Sequence, residues 1–287
     1  MNAIETKHLT MRFGSTVALD DVNLALAPNR IYGLLGRNGA GKTTLLNIIA
    51  NKLFATSGEA LVEGEPATEN AAAQAKIFYM TEKNLYPWAM RVKEAFRWAA
   101  EFYPGFDRQY ADELAKKFAL DTRKKIKALS TGYLSIFKAV LALASGAAVL
   151  LLDEPVLGLD ANHRAIFYRE LIARFSEKPC TVVISTHLID EVAEVLEDAI
   201  IIKQGRVLLH QSVEELLHTA CAVSGEASAV DSFTTGRIVI AMETMGRFKT
   251  ATLHEALDEV SMALARELNL DVTPATLQKL FIDLTNE

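Results

Sequence analysis

The 287-residue sequence predicts an α/β fold built on a mostly parallel sheet. Three observations carry that expectation. Short apolar runs at residues 31–35, 149–152 and 181–185 read as strands buried on both faces. Helix-period stretches, among them residues 45–50 and 166–175, alternate with them, which places helices on both faces of one sheet. Half of the residues are hydrophobic and 23% are charged, enough for a sizeable core and wrong for a disordered or fibrous chain.

The elements follow in order. Ile4, Thr6 and His8 alternate with charged neighbours, and Val22, Leu24 and Leu26 alternate again before the turn signal Pro28-Asn29, so the first thirty residues read as strands. The run at 31–35 ends at Gly36, and a helix follows over 45–50. Residues 92–120 are helical in pattern, with Phe96, Ala99, Ala100 and Phe102 on one side, and 138–144 continue the helical character. A helix starts over 191–196. Past residue 211 the composition shifts: the last 77 residues hold 5 basic and 12 acidic side chains, while the rest carries a net +1. That shift sets a boundary near 204–212. Beyond it a strand at 237–242 and helices near 253–268 and 276–284 make a small α+β extension over 211–287, read either as a variable appendage or as a dimer-stabilising or regulatory unit.

Several function classes fall away. The net charge of -6 argues against a protein whose main task is gripping nucleic acid, so no nucleic-acid partner is expected. Cys180 and Cys221 are far apart and lack metal spacing, as expected of two reduced thiols. His210, His218 and His254 show no metal spacing either. The N-terminus has no basic start followed by an apolar run, so no signal peptide is expected. The longest apolar stretch, residues 139–152, is interrupted by Ser145 and Gly146 and falls short of the roughly 20 residues a membrane span needs. A membrane role would have to come through a partner.

Two motifs carry chemistry. Gly36-Arg37-Asn38-Gly39-Ala40-Gly41-Lys42-Thr43 fits G-x-x-x-x-G-K-[ST] between a predicted strand and a predicted helix, the context of a P-loop. Its glycines let successive N–H groups point into one concavity, and the helix start adds positive potential. Lys42 reaches the β- and γ-phosphates, Thr43 supplies a hydroxyl for Mg²⁺, and Thr44 completes the set. Downstream, the apolar strand 149–152 delivers Asp153 and Glu154 at the edge where open α/β sheets bind ligands. Asp153 suits Mg²⁺, and Glu154 suits a general base that polarises a water for attack on a γ-phosphate. Together they read as a nucleotide triphosphatase that works with Mg²⁺; ATP as the nucleotide is what the resemblance described next implies.

Between and after these motifs stand Leu129-Ser130-Thr131-Gly132-Tyr133, Gly158-Leu159-Asp160 and Ser185-Thr186-His187. This order and spacing over about residues 4–210 resembles the ATP-binding cassette (ABC) family, specifically the nucleotide-binding subunit of an ABC transporter. The resemblance implies a P-loop NTPase core over residues 1–210, an antiparallel β subdomain and a helical subdomain at about 83–145. It makes Phe13 the aromatic that stacks on adenine, although a strand-core role is also open. It puts Glu82 where a glutamine that helps hold the metal usually sits. Ser130 and Gly132 match the signature that reaches the γ-phosphate bound to an opposite subunit, Asp160 the aspartate at that dimer interface, and His187 the histidine that bonds the γ-phosphate. The implied partners are an integral membrane permease and a second cassette, as a homodimer or a heterodimer, with the chain cytoplasmic and peripheral on the inner face of the membrane. An exporter is the favoured direction. The alternative is a soluble or low-turnover ABC protein that acts as a nucleotide-dependent switch, or on nucleic acid or the ribosome.

Four departures from the family pattern bear on turnover and pairing. Glu82 adds a negative charge, Thr131 and Tyr133 alter the signature, Ile136 stands where a basic residue is expected, and Val156-Leu157 replaces small hydroxyl residues. The apolar, aromatic stretch Leu85-Tyr86-Pro87-Trp88-Ala89-Met90 follows Glu82, and the resemblance makes it the neighbourhood that receives the permease; packing of the helical subdomain would explain it equally well residue by residue.

Overall fold

A computed structural model of the chain describes residues 1–286. Its centre is a six-stranded sheet in the order Arg206–Ser212, Asp198–Lys203, Ile31–Leu35, Thr181–Thr186, Val149–Asp153, Ile77–Met80. All neighbours pair in parallel except the first two, which form an antiparallel hairpin at the edge. The period-2 geometry of strands explains the apolar runs. Ile31 and Leu35, Leu150 and Leu152, Val182 and Ile184, Ala199 and Ile201 point into one core cluster, while Tyr32 and Leu34, Val149 and Leu151, Val183, Ile200 and Ile202 point into another. A strand buried on both faces has no polar positions to alternate with.

The two faces are covered differently. On one, the helices Thr131–Ala144 and Ala161–Glu177 contribute Ile136, Val140, Phe167 and Leu171. On the other, the helix Lys42–Ile49 lies between the central sheet and a four-stranded antiparallel sheet of Thr16–Leu26, Ile4–Phe13, Ser57–Val62 and Glu65–Pro66. Helices therefore occur on both faces, but a second sheet shares one of them. That sheet is the expected antiparallel subdomain, and Val22, Leu24 and Leu26 are its buried face. His8, expected in the alternation, is exposed at φ +49°, in a stretch where the pairing to both neighbours slips register.

The helical stretch predicted over 92–120 is two helices, Val92–Phe102 and Arg108–Lys117. Pro104-Gly105 separates them, since proline carries no N–H for a continuing helix. Gly105 also lies against Gly146, where a Cβ would sit 2.2 Å from the Gly105 carbonyl oxygen. Phe96 and Ala99 are buried as expected; Ala100 and Phe102 face outward.

The chain past the central sheet adds a compact βαββαβ unit. Cys221–Glu226, Val239–Met245, Phe248–Leu253 and Asp271–Pro274 form an antiparallel sheet in which Cys221–Glu226 lies between the last two. Ala227–Thr234 and Glu259–Glu267 cover one face and share a small core of Val223, Val230, Phe233, Ala251 and Ala265. This is the split-βαβ arrangement. Two expectations change here. Residues 253–258 are not helical: Leu253 closes a strand, and the helix begins at Glu259, where the Asp258 carboxylate accepts the Ser261 N–H at 2.8 Å. The final helix, Leu277–Thr285, belongs to the main core, with Leu277 and Leu280 packed in the same cluster as Val213 and Leu216. The last cassette strand runs to Ser212, at the end of the boundary region 204–212.

Candidate nucleotide site

The site lies at the C-terminal edge of the central sheet. Strand Ile31–Leu35 ends in the glycine-rich turn, and the helix starts at Lys42. Gly41 has φ +111°, and a Cβ there would lie 2.5 Å from the Ala18 carbonyl oxygen; a Cβ on Gly36 would lie 2.7 Å from that of Ile202. The loop is thus pressed between the first sheet and the central sheet, and only glycine fits at these two contacts. Arg37, Asn38 and Gly39 are exposed at its tip, Ala40 is buried beneath, and Thr44 is half-buried in the first helical turn.

Lys42 is 7% exposed. Its Nζ donates to the carbonyl oxygens of Gly36 at 2.6 Å and Arg37 at 3.4 Å. Burial pushes its ammonium below the ordinary lysine range, and the carboxylates of Glu154 and then Asp153 pull it back. Thr43 Oγ1 donates to Asp153 Oδ2 at 2.9 Å. Two hard oxygen donors side by side, at a helix N-terminus that favours anions, suit a divalent cation held with a phosphate, and Mg²⁺ needs only one or two protein oxygens. Thr43 and Asp153 would hold it, and the ion would supply charge neutralisation on the phosphates. Among the described residues no cluster of three or more histidines, cysteines or carboxylates is placed to hold a metal.

Glu154 follows at φ +50°, a conformation that side-chain-bearing residues seldom adopt. Its N–H donates to the Ser185 carbonyl at 2.8 Å. Its Oε1 lies 2.9 Å from His187 Nδ1, and its Oε2 accepts from Thr186 Oγ1 at 3.3 Å. Residues of two adjacent strands, Val149–Asp153 and Thr181–Thr186, thus fix the carboxylate at their shared end. Thr186 was not singled out in the sequence; its place one residue before His187 is the only signal for it.

The remaining candidates form separate groups. Ser130 caps the helix Thr131–Ala144 by accepting the Tyr133 N–H at 3.3 Å. Gly132 backs directly onto Gly158, whose carbonyl oxygen a Cβ would meet at 2.6 Å, and Ser135 Oγ donates to the Leu157 carbonyl at 2.8 Å. Asp160 caps the next helix and is bound by His163, whose backbone and ring hold its carboxyl below the usual range. Ser130, Gly132 and Asp160 are therefore neighbours of one another, joined through Gly158. Phe13 ends its strand with its ring half exposed, as a stacking surface requires.

Glu82 is exposed just past the strand Ile77–Met80. Its carbonyl oxygen and that of Thr81 both accept from Lys138 Nζ, at 2.7 and 2.8 Å. Lys138 is 5% exposed; burial pushes it down to about 8, against the pull of Glu82 and Asp153. Sequence reasoning missed this lysine because it lies two positions past the place where a basic residue was expected. Beyond Glu82, Leu85, Pro87, Trp88 and Ala89 are exposed, while Tyr86 packs edge-on against Phe137 and Met90 is buried. Two anchors thus carry four presented residues.

A family model for the ABC transporter matches residues 19–157. The ABC transporter ATP-binding protein YtrB of Bacillus subtilis is 33% identical over 189 residues, which are 66% of this chain and 65% of YtrB. The chain belongs to the ABC transporter family. The probable multidrug ABC transporter ATP-binding protein YbhF of Escherichia coli is 33% identical over 219 residues, 74% of this chain and 38% of YbhF. The cassette thus spans about two thirds of one of these relatives and well under half of the other. Among solved structures, an ATP-binding subunit of an ABC transporter superposes with a TM-score of 0.68 at 21% identity, covering 75% of this chain and 91% of that one, a likeness of fold. A dimeric post-hydrolysis state of an ATP-binding cassette, bound to ADP and Pi, matches with a TM-score of 0.65 at 25% identity, covering 73% and 98%. The cassette's P-loop, its Asp153-Glu154 strand end and its signature helix all lie within the coverage expected from the sequence, residues 4–210.

Proposed function

We propose that this chain is the ATP-binding and ATP-hydrolysing subunit of a transporter whose membrane-spanning permease is a separate protein, and that it works in export. The observation that carries the hydrolytic part is Glu154, locked by His187 and Thr186 one residue past the Thr43–Asp153 pair. In this reading the P-loop N–H groups and Lys42 hold the phosphates, and Lys42 leaves its carbonyl partners to do so. Glu154 takes a proton from the attacking water, and His187 orients Glu154 through Nδ1 and offers its other ring nitrogen to the γ-phosphate. Phe13 stacks on the adenine, and Glu82 helps hold the metal with Thr43 and Asp153.

Ser130, Gly132 and Asp160 form a group of their own, so a second cassette would supply its copy of them to close the site over the γ-phosphate. Two such copies around a two-fold axis would bury two ATP molecules, and water exclusion there strengthens every donor. ATP then drives closure and hydrolysis releases it, which is the mechanical stroke. The exposed residues Leu85, Pro87, Trp88 and Ala89 suit a docking surface for the permease. Among the described residues no helix is long and apolar enough to cross a membrane, so the proposed placement is peripheral, on the cytoplasmic face. The export direction is supported by the name of YbhF, which points to multidrug transport; relatives named for ribose import and for sulfate/thiosulfate import are 30% and 32% identical.

The test is ATP hydrolysis by the purified chain with Mg²⁺, with the size of a Glu154→Gln variant measured in ATP. Turnover in the wild type and an ATP-dependent dimer in the variant are expected. No ATP binding by the wild type would overturn the reading; ATP binding with no turnover and no dimer would overturn the homodimeric motor and leave a heterodimer or a nucleotide switch.

A further inference from the structure

We propose that Lys138 is a positioning residue of the nucleotide site: it ties the signature helix to the Glu82 loop through two backbone carbonyls. The inference rests on the ATPase reading above and adds a residue to it.

Three observations point the same way. A lysine is rarely buried unless it is paired, and Lys138 is 5% exposed inside a helix whose other buried residues are apolar apart from Ser135. Its Nζ spends its hydrogen bonds on the Thr81 and Glu82 carbonyl oxygens, at 2.8 and 2.7 Å, and these charge-assisted bonds fix a segment that has no regular secondary structure. The two carboxylates whose fields reach it are Glu82 and Asp153. The placement is mechanical as well as electrostatic. Strand Ile77–Met80, which leads into Thr81, pairs with Val149–Asp153, with Met80 opposite Leu152. Lys138 therefore joins three things: the helix that begins at the signature, the strand end that carries Asp153, and the loop that leads to Leu85 and Trp88. A shift of the signature helix would be passed to the Glu82 loop through Nζ, and a methionine of similar volume would pass none of it.

Lys138→Met and Lys138→Arg test this in the full chain, each first checked for a native melt. Exchange of backbone amide hydrogens over residues 81–90, which needs no turnover, should speed up in Lys138→Met and return toward wild type in Lys138→Arg. Turnover in Lys138→Met should fall about tenfold or more while the KM for ATP stays within about twofold, because the P-loop is untouched. Lys138→Arg, which keeps N–H donors for the two carbonyls, should recover part of the loss. Where the wild type binds ATP without turning over, the ATP-dependent change in exchange over 81–90 takes the place of kcat and should vanish in Lys138→Met. Unchanged exchange and unchanged turnover in Lys138→Met would overturn the proposal, as would a loss that Lys138→Arg does not relieve. Failure of the wild type to bind ATP would instead sink the ATPase reading, with the exchange result still deciding whether Lys138 holds the loop.

Discussion

Replacing Glu154 by glycine should cost little stability and nearly all turnover. The residue sits at φ +50°, a region that costs an L-residue about 1–2 kcal/mol and costs glycine almost nothing. Against that relief stand two side-chain bonds, to His187 at 2.9 Å and Thr186 at 3.3 Å, of about 1 kcal/mol each. Glycine's greater freedom in the unfolded chain removes roughly another 0.5–1 kcal/mol. The net destabilisation is about 0–2 kcal/mol, and a domain of ordinary stability, about 5–15 kcal/mol, stays folded. Loss of a general base removes about 10²–10⁴ in rate, or roughly 3–5 kcal/mol of barrier. Glu154→Ala is the control, because it loses the same bonds and keeps the strain. The glycine variant should be the more stable of the two by about 1 kcal/mol in urea unfolding at equal m-value, with both equally dead in ATP hydrolysis. An alanine variant as stable as the glycine one would refute the strain argument. Turnover within tenfold of wild type in either would refute Glu154 as the base.

Three further outcomes follow from single contacts. Gly132→Ala drives a Cβ to 2.6 Å from the Gly158 carbonyl oxygen, a backbone atom that cannot swing away, so about 1–3 kcal/mol is lost in urea unfolding and the ATP-dependent dimer of the Glu154→Gln chain weakens; an unchanged midpoint and dimer would contradict it. Leu280→Ala removes a fully buried side chain from the main core and should cost about 2–5 kcal/mol in the transition of the whole chain, whereas a separate early transition would mean that the final helix folds apart from the cassette. Burial pushes the Cys180 thiol up to about 11, so at pH 7.5 its thiolate is depleted and iodoacetamide should react on the order of a hundredfold slower than with a free cysteine, the rate recovering in urea; native labelling at the free-thiol rate would show that the site is open.

The central sheet was legible because its physics is local. A strand buried on both faces must be apolar throughout, and Ile31–Leu35 and Val149–Asp153 announce themselves. The P-loop is legible for a similar reason, since backbone curvature and phosphate contact dictate glycines at set intervals. The edge hairpin at Asp198–Lys203 and Arg206–Ser212 is harder to see: its outer strand alternates exposed and half-buried positions with none fully buried, and its turn holds Gln204-Gly205 alone. In the C-terminal unit the strands Cys221–Glu226 and Asp271–Pro274 carry Ser224, Gly225, Asp271 and Pro274, residues of low strand propensity, and are held by pairing to partners more than 20 residues away. Tertiary register wins there over local preference. The reach of the final helix back to the cassette, where Arg37 Nη2 donates to Asn286 Oδ1 at 3.1 Å, has no sequence signal at all.

The missing basic residue shows most clearly what a linear comparison loses. Ile136 occupies the position where a positive charge is expected, and on that basis the helix looks uncharged on its inner side. Each helical step turns about 100°, so moving a charge by two residues turns it through roughly 200° and aims it at a different neighbour. Lys138 consequently meets the Glu82 loop, and position 82 is where a second charge has changed. Taken singly, Ile136 and Glu82 look like losses that weaken an ATPase site. The folded chain shows where the cation acts instead: the Lys138 ammonium binds the Thr81 and Glu82 carbonyl oxygens, so position 138 and not 136 ties this helix to the loop.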